Sequence, residues 1–543
     1  MAYDPAATRW GMDDRFLVGV DIGTGSTKSI LMRTDGVLAA EAVAKYPMHR
    51  PRFGWAENDP DDWVRAVEKT VRAAVDMAGV SREQVVGLSV VAVRDPVVLL
   101  DTRGEVLTPC ISWMDRRTQE ITRELCLRFG KQELIELTGV VPIPGLSLPN
   151  LIWTRRNLPE VWQQVAHIMF VKDYVFYRLT GKIGTDISTP SRSILNDLRQ
   201  NCWSPYICEA AGIDIDLLSP ISYRPWEVFD TLSEATADRL GLLAGTPLAA
   251  GGGDDQSAAL GAGVIKAGDL CMGTGTASDW RCVMEQPTPD RAGRADVAPH
   301  LVPDCYLLAN TISSTGSSTR WFRDVFGEDA RAREAITGEN AYTQLFALAE
   351  DVELGSNGLF YYPYLEGARA PRFNDDATGV FFGIVSSHTR VHFIRSILEG
   401  VAFQYVPNLA MLHGMGFAEG SIAMVDGETR SALWTQIKAD VLGREIHVPR
   451  IIQSAAVGSC VLAGLAANVF ADVDTAVTAM VHQDRLYVPD EERHERYTHI
   501  RHTYEHVYDC LALAYASVRE SQISSSEGAT RQPRPVQDME KEL

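Results

Sequence analysis

Hydrophobic positions in the first hundred residues fall into short continuous runs, each cut by glycine, aspartate or proline. Residues 16–20 form a buried-strand run leading into Gly23 and Gly25. Residues 29–33 and 36–44 read as two further strands joined at Asp35-Gly36, a hairpin signal. Over 61–78 the apolar period lengthens to that of a helix, and Asn58-Asp59-Pro60 supplies a capping side chain and a first-turn proline. Strand runs return at 85–93 and 97–101. Strands first, then helix and strand, imply a mixed sheet with helices packed on it. Residues 151–179 read as largely helical, with Trp153, Trp162 and Tyr174 as packing residues. From about Gly261 the pattern starts over: strand, glycine turn, strands, then long helices at 392–411 and 431–442. The chain runs one architectural theme twice. Its last stretch, 517–543, is rich in Ser, Gln, Glu and Pro and reads as a disordered tail.

At 543 residues the chain exceeds what one core can serve, which implies two or three domains. A 45% apolar and 22% charged composition is that of a soluble globular protein. A net charge of −20 with no basic run argues against a nucleic-acid partner. The nine cysteines are dispersed without a Cys-x-x-Cys pair, which fits reduced thiols better than a disulfide framework or a zinc site. Residues 1–15 are polar and unlike a signal peptide, and no apolar run reaches the roughly 20 residues of a membrane span. The expectation is a cytoplasmic protein without a membrane partner.

Chemistry concentrates in two glycine turns about 250 residues apart, each at the tip of a strand. The first is Asp21-Ile22-Gly23-Thr24-Gly25-Ser26-Thr27-Lys28 and the second Gly273-Thr274-Gly275-Thr276. Glycine lets backbone N–H groups approach a polyphosphate, and Thr and Ser hydroxyls add neutral donors. Between the turns, Gly251-Gly252-Gly253 ends in Asp254-Asp255. A carboxylate among phosphate donors is repelled unless it holds a cation or takes a proton. Together these features describe a cleft for a nucleoside triphosphate and a phosphoryl acceptor. Read alone, each turn is an ordinary β-turn, and the acidic pair could simply cap a helix beginning near Gln256.

The chain resembles the FGGY family of carbohydrate kinases. The resemblance rests first on Gly379-Val380-Phe381-Phe382-Gly383-Ile384 followed by His392-Phe393-Ile394-Arg395-Ser396-Ile397-Leu398-Glu399. Trp113-Met114-Asp115-Arg116-Arg117-Thr118, Lys172-Asp173-Tyr174 and Arg320-Trp321-Phe322-Arg323-Asp324 follow the family's order. It implies two actin-like ATPase (ribonuclease-H-like) α/β domains around a central cleft, each a mixed sheet flanked by helices. The division would be a 1–15 extension, a sugar-binding domain at 16–263, an ATP-binding domain at 264–516 and the tail. It also implies transfer of the γ-phosphoryl group of ATP, with Mg²⁺, to a hydroxyl of a small sugar or polyol, and leaves a homodimer open.

Carried onto this chain, the catalytic base is Asp254, seven residues before Gly261, with its neighbour Asp255 as the alternative. Asp21 holds the metal through water, and Gly23, Thr24, Gly25, Ser26, Thr27, Lys28, Gly273, Thr274, Gly275 and Thr276 line the phosphates. Xylulose kinases show Met-His-Gly where this chain has Arg94-Asp95-Pro96. A guanidinium and a carboxylate at a strand end suit vicinal hydroxyls, so Arg94 and Asp95 are expected on the acceptor with Trp113, Asp115 and Asp255, unless they form only a surface ion pair. At the adenine side the family's Gly-Gly-Gly-Ala is replaced by Asp426-Gly427-Glu428-Thr429, where Gly427 alone matches. Glu428 near a phosphate would repel it, so it is expected to face away or meet a metal. The competing function is a non-catalytic, actin-like ATPase clamp. A dinucleotide-binding dehydrogenase is set aside because Gly-x-Gly-x-x-Gly lacks its third glycine.

Overall fold

The computed structural model describes residues 10–529. Its centre is two mixed sheets built on the same plan. In the first, strands Phe16–Ile22, Ser26–Arg33 and Leu38–Lys45 form an antiparallel meander, and Val85–Ala92 and Pro247–Gly253 add in parallel beside the first strand. In the second, Leu270–Thr274, Ser278–Met284 and Tyr306–Ile312 form the meander, and Ile422–Val425 and Ile446–Pro449 are the parallel additions. The theme expected to run twice does so over these five strands, with further edge strands added to each sheet.

Local chemistry accounts for the elements. Asp35-Gly36 turns the hairpin, with Arg33 N donating to Val37 O at 2.9 Å and Gly36 at φ +84°. The helix Pro60–Ala78 begins one residue early, because Asp59 caps Asp61 N at 3.0 Å and Pro60 takes the first turn. Its buried stripe, including Trp63, Val67, Val71 and Ala74, covers the first sheet.

Three expectations are refined or corrected. Residues 151–179 are largely helical, as expected, but in pieces around a strand: Ser147–Asn157 and Pro159–Trp162 are helical, His167–Phe170 is a strand paired with Val97–Leu100, and Val171–Thr180 is the next helix. Pro159 disfavours helical backbone at the residue before it, and the apolar run that follows is buried in a two-stranded pairing. The stretch 392–411 likewise divides into Arg390–Phe403 and Val406–Gly414, with Pro407 in the first turn of the second helix. The final helix spans Glu491–Ala529, so 517–529, expected in a disordered tail, continue it; 530–543 lie outside the described residues.

One late element belongs spatially to the first sheet. The helix Ser454–Ala466 lies on the strands Phe16–Ile22 and Val85–Ala92 and against the helix Asp254–Gly261. Glycines set the approach. A Cβ on Gly19 would stand 2.2 Å from Ala456 O, and one on Gly458 2.1 Å from Ser257 O. Val20 N donates to Ser459 Oγ at 3.2 Å across the same contact.

Candidate active site

Both glycine turns open into the space between the sheets. In the first, Gly23 N donates to Ser26 O at 3.0 Å, and Tyr46 braces the turn from behind with its hydroxyl on Gly23 O at 2.6 Å. A Cβ on Gly25 would meet nothing within 4 Å, so this backbone is free for a ligand. Thr27 does not join it. Strand alternation places Ser26 and Lys28 on one face and turns Thr27 into the interior, where it is fully buried. Trp113 reaches the turn, its Nε1 donating to Thr24 Oγ1 at 2.9 Å.

The second turn is closed by the helix Thr315–Phe326, whose Ser317 N donates to Thr276 O at 2.9 Å. Gly316 permits this, since a Cβ there would sit 1.8 Å from Gly275 O. Beside the turn lies a cavity of about 500 Å³ lined by Thr274, Gly275, Gly316, Tyr342, Gly427 and Trp434. Glu428 is also at its wall, but its carboxylate meets the Lys438 ammonium, and both side chains are fully buried. Lys438 lies 4.3 Å from the Trp434 ring centroid. The adjoining Tyr405 hydroxyl bonds Ser278 Oγ at 2.7 Å and Thr274 Oγ1 at 3.0 Å. Glu428 is therefore anchored in the wall rather than aimed at a phosphate.

The acidic pair stands where the strand Pro247–Gly253 becomes the helix Asp254–Gly261. Gly253 N is held by Ser188 Oγ at 3.1 Å, and Gly251 adopts φ +67° where a Cβ would clash with Val90 O. The two carboxylates have opposite environments. Asp255 accepts from Arg94 Nη2 and from Arg281 Nη2, both at 2.6 Å. Against the burial that would raise it, those two guanidiniums hold the Asp255 carboxyl far below the usual range. Asp254 accepts the Asp255 N–H at 2.9 Å and has Arg94 Nε at 4.0 Å. Enclosure in the cleft, then the charge of Asp255, push its carboxyl up to about 7, although 31% of the side chain stays open.

The Arg94–Asp95 pair is not a surface ion pair: both residues are buried, and each bonds a different partner. Arg94 is 4% exposed and turned onto Asp255 and Ser191 Oγ, the latter at 3.0 Å. Asp95 accepts from Arg192 Nε at 2.9 Å. Arg192 continues to Asp296 in the second sheet, and Val141 N holds the other oxygen of Asp296 at 2.7 Å. Asp115 is fully buried and committed, accepting Ala56 N at 2.7 Å and the Arg117 guanidinium at 2.8 Å. It braces Arg117, which stacks 3.4 Å from the Trp55 centroid with the Trp153 ring 4.8 Å away and edge-on to Trp55, and it does not reach the cleft.

Arg192, Arg281, Asp279, Asp296 and Asp426 were not singled out from the sequence as site residues. Arg281 carries a signal in hindsight, as a charge within the buried strand Ser278–Met284, whereas Arg192 and Asp296 meet their partners only across the fold. Arg281 also bonds Asp279 at 3.0 Å. With Arg192, Asp255 and Asp296 it lines a second cavity of about 510 Å³ beside the acidic pair.

Among the described residues no three-ligand group of His, Cys, Asp or Glu is preassembled for a metal. Asp21 and Asp426 nonetheless face a common region. Burial raises both, Asp21 to about 6, while Lys28 counters the shift in each. Partly buried carboxylates crowded around one lysine suit a divalent cation held mainly by phosphate oxygens and water.

Two repeated α/β sheets, phosphate-ready turns from both and an acidic pair between them define a two-domain kinase of small molecules. The chain belongs to the FGGY family of carbohydrate kinases: the family's N-terminal domain matches residues 16–261 and its C-terminal domain residues 270–467. It is 30% identical to the xylulose kinase of Lactococcus lactis over 91% of this chain and 96% of that one. With the gluconokinase of Bacillus subtilis it shares 28% identity over 93% of this chain and 98% of the relative. The solved xylulose kinase of Rhodospirillum rubrum superposes with a TM-score of 0.83 at 30% identity, covering 92% of this chain and all of that one. The fold is the actin-like ATPase fold of these kinases, and the protein is a phosphotransferase with an alcohol acceptor, a sugar or polyol kinase. No helix of the described residues is long and apolar enough to cross a membrane.

Proposed function

We propose that the protein transfers the γ-phosphoryl group of ATP to a hydroxyl of a small sugar or polyol, with Asp254 as the base. The observation that carries this is the contrast within the acidic pair. Asp255 is neutralised by two guanidiniums, whereas Asp254 faces the cleft, has no cation bonded to it and titrates near neutrality. A base poised near the working pH can accept the acceptor's proton as the new bond forms. Asp255 is then the positioning member, fixed by Arg94 from one domain and Arg281 from the other.

The nucleotide's base would occupy the cavity beside Tyr342 and Trp434, with its phosphates toward Gly23, Thr24, Gly25 and Ser26 and toward Gly273, Thr274, Gly275 and Thr276. Lys28 supplies positive charge at the first turn. Asp21, with Asp426, would hold Mg²⁺ through water, and the ion would neutralise charge developing on the phosphates. The acceptor would fill the cavity that Asp255 lines, and closure around it would keep water from the phosphoryl group. We place the reaction in the cytoplasm, a reading supported by nine cysteines that are all free.

Asp254→Asn tests the assignment. Loss of a positioned base lowers kcat by about 10²–10⁴-fold while nucleotide and acceptor still bind. Acceptor-dependent ADP release is the readout. Near-normal turnover in Asp254→Asn together with a dead Asp255→Asn would transfer the role to the neighbour. ADP release that ignores every acceptor would point to a clamp rather than a kinase.

A further inference from the structure

Five arginines line the acceptor cavity, and one of them, Arg369, feels the charges of two others: Arg116, which follows the braced Asp115, and Arg192. Arg192 is satisfied by Asp95 and Asp296. Arg116 and Arg369 are not. Neither guanidinium makes a hydrogen bond or an ion pair within 4 Å among the described residues. Arg369 is partly buried, and its ordinary pKa is lowered first by that burial and then by the like charges of Arg116 and Arg192. The carboxylates that face it, Asp375 and Glu366, are exposed at the cavity rim, and neither bonds it. Solvent screens those rim charges far more than it screens a partly buried guanidinium. A planar fork of donors left open in a binding cavity matches a carboxylate.

We infer that the acceptor carries an anionic end. It is a polyhydroxylated carboxylic acid whose carboxylate is held by Arg369 and Arg116 while one hydroxyl faces Asp254. This rests on the reading of the cavity as the acceptor site and narrows it from sugars and polyols in general to their acids. Arg192 cannot serve as the primary contact, because two aspartates already take its donors.

The test pairs acids with neutral analogues of equal length: four- to six-carbon aldonates against the corresponding alditols and ketoses, in an ADP-release assay with saturating MgATP. Wild-type kcat/KM is expected to favour an aldonate over its alditol by about ten- to a hundredfold, the range of a charge-assisted contact. Arg369→Gln, and separately the exposed Arg116→Gln, are expected to bring that ratio toward one, mainly through KM for the acid. KM for ATP reports whether the variants remain folded and nucleotide-competent. A neutral acceptor preferred by wild type, with a ratio unmoved in Arg369→Gln, overturns the anionic end and leaves the kinase reading standing. Should no compound of either series release ADP above the Asp254→Asn background, the acceptor reading fails and this inference fails with it.

Discussion

Asp254 is a carboxyl whose surroundings oppose its charge, and both activity and stability should register that. Because the base must be unprotonated, kcat/KM should rise with pH and level off above about 7, a limb that Asp254→Asn removes. For stability the sign is fixed by the raised value: unfolded, the group ionises near 3.8, while folded it resists until about 7. Its contribution is therefore present below the lower value and lost as pH rises through the upper one. Asp254→Asn should raise Tm at pH 8 and leave it unchanged at pH 3.5, as thermal unfolding at the two pH values would show. The buried Glu428–Lys438 pair behaves differently, since removing one partner strands the other. Lys438→Met should destabilise by about 3–5 kcal/mol and the double change Glu428→Gln, Lys438→Met by much less. A double-mutant cycle by denaturant unfolding measures the coupling.

Elements were legible where their signals were local. The paired turns, the hairpin at Asp35-Gly36 and the helix capped by Asp59 each declare themselves within a few residues, as does the junction that presents Asp254. The strand His167–Phe170 was hidden inside an apolar stretch because its partner, Val97–Leu100, lies seventy residues earlier. The same limit governs the site. Arg94 and Asp95 were found, but their partners are not each other: Asp255 and Arg192 reach them only through the sheet's crossovers. Thr27 and Asp115 were misjudged because a strand's facing and a carboxylate's occupancy are properties of packing, not of motif. At this scale the Ser454–Ala466 crossing is open to test. Gly458→Ala drives a Cβ against backbone that cannot swing aside, and should cost about 1–3 kcal/mol in chemical unfolding.

For the whole molecule, three ionic ties join the two domains among the described residues: Arg281 to Asp255, Arg192 to Asp296, and the more exposed Arg291 to Glu136. The second stands at the acceptor cavity without touching the base, so it can be cut separately. Free Asp296→Asn should show a larger radius of gyration than the free wild type by small-angle scattering. Saturation with acceptor and a non-hydrolysable ATP analogue should bring the two together. Equal radii in both states would mean that the tie does not hold the domains.

The glycine-lined crossing also has a bearing on biogenesis. The sheet that begins at Phe16 receives the greater part of one covering layer from Ser454–Ala466, so a nascent chain must wait for more than four hundred further residues before that face is sealed. Until then Leu17, Val91 and Ala249 sit beneath an uncovered apolar surface, the kind of patch that invites association. A fragment ending at residue 263, though it contains every strand of the first sheet, should accumulate in the insoluble fraction. Co-expression with 264–543 should return it to solution.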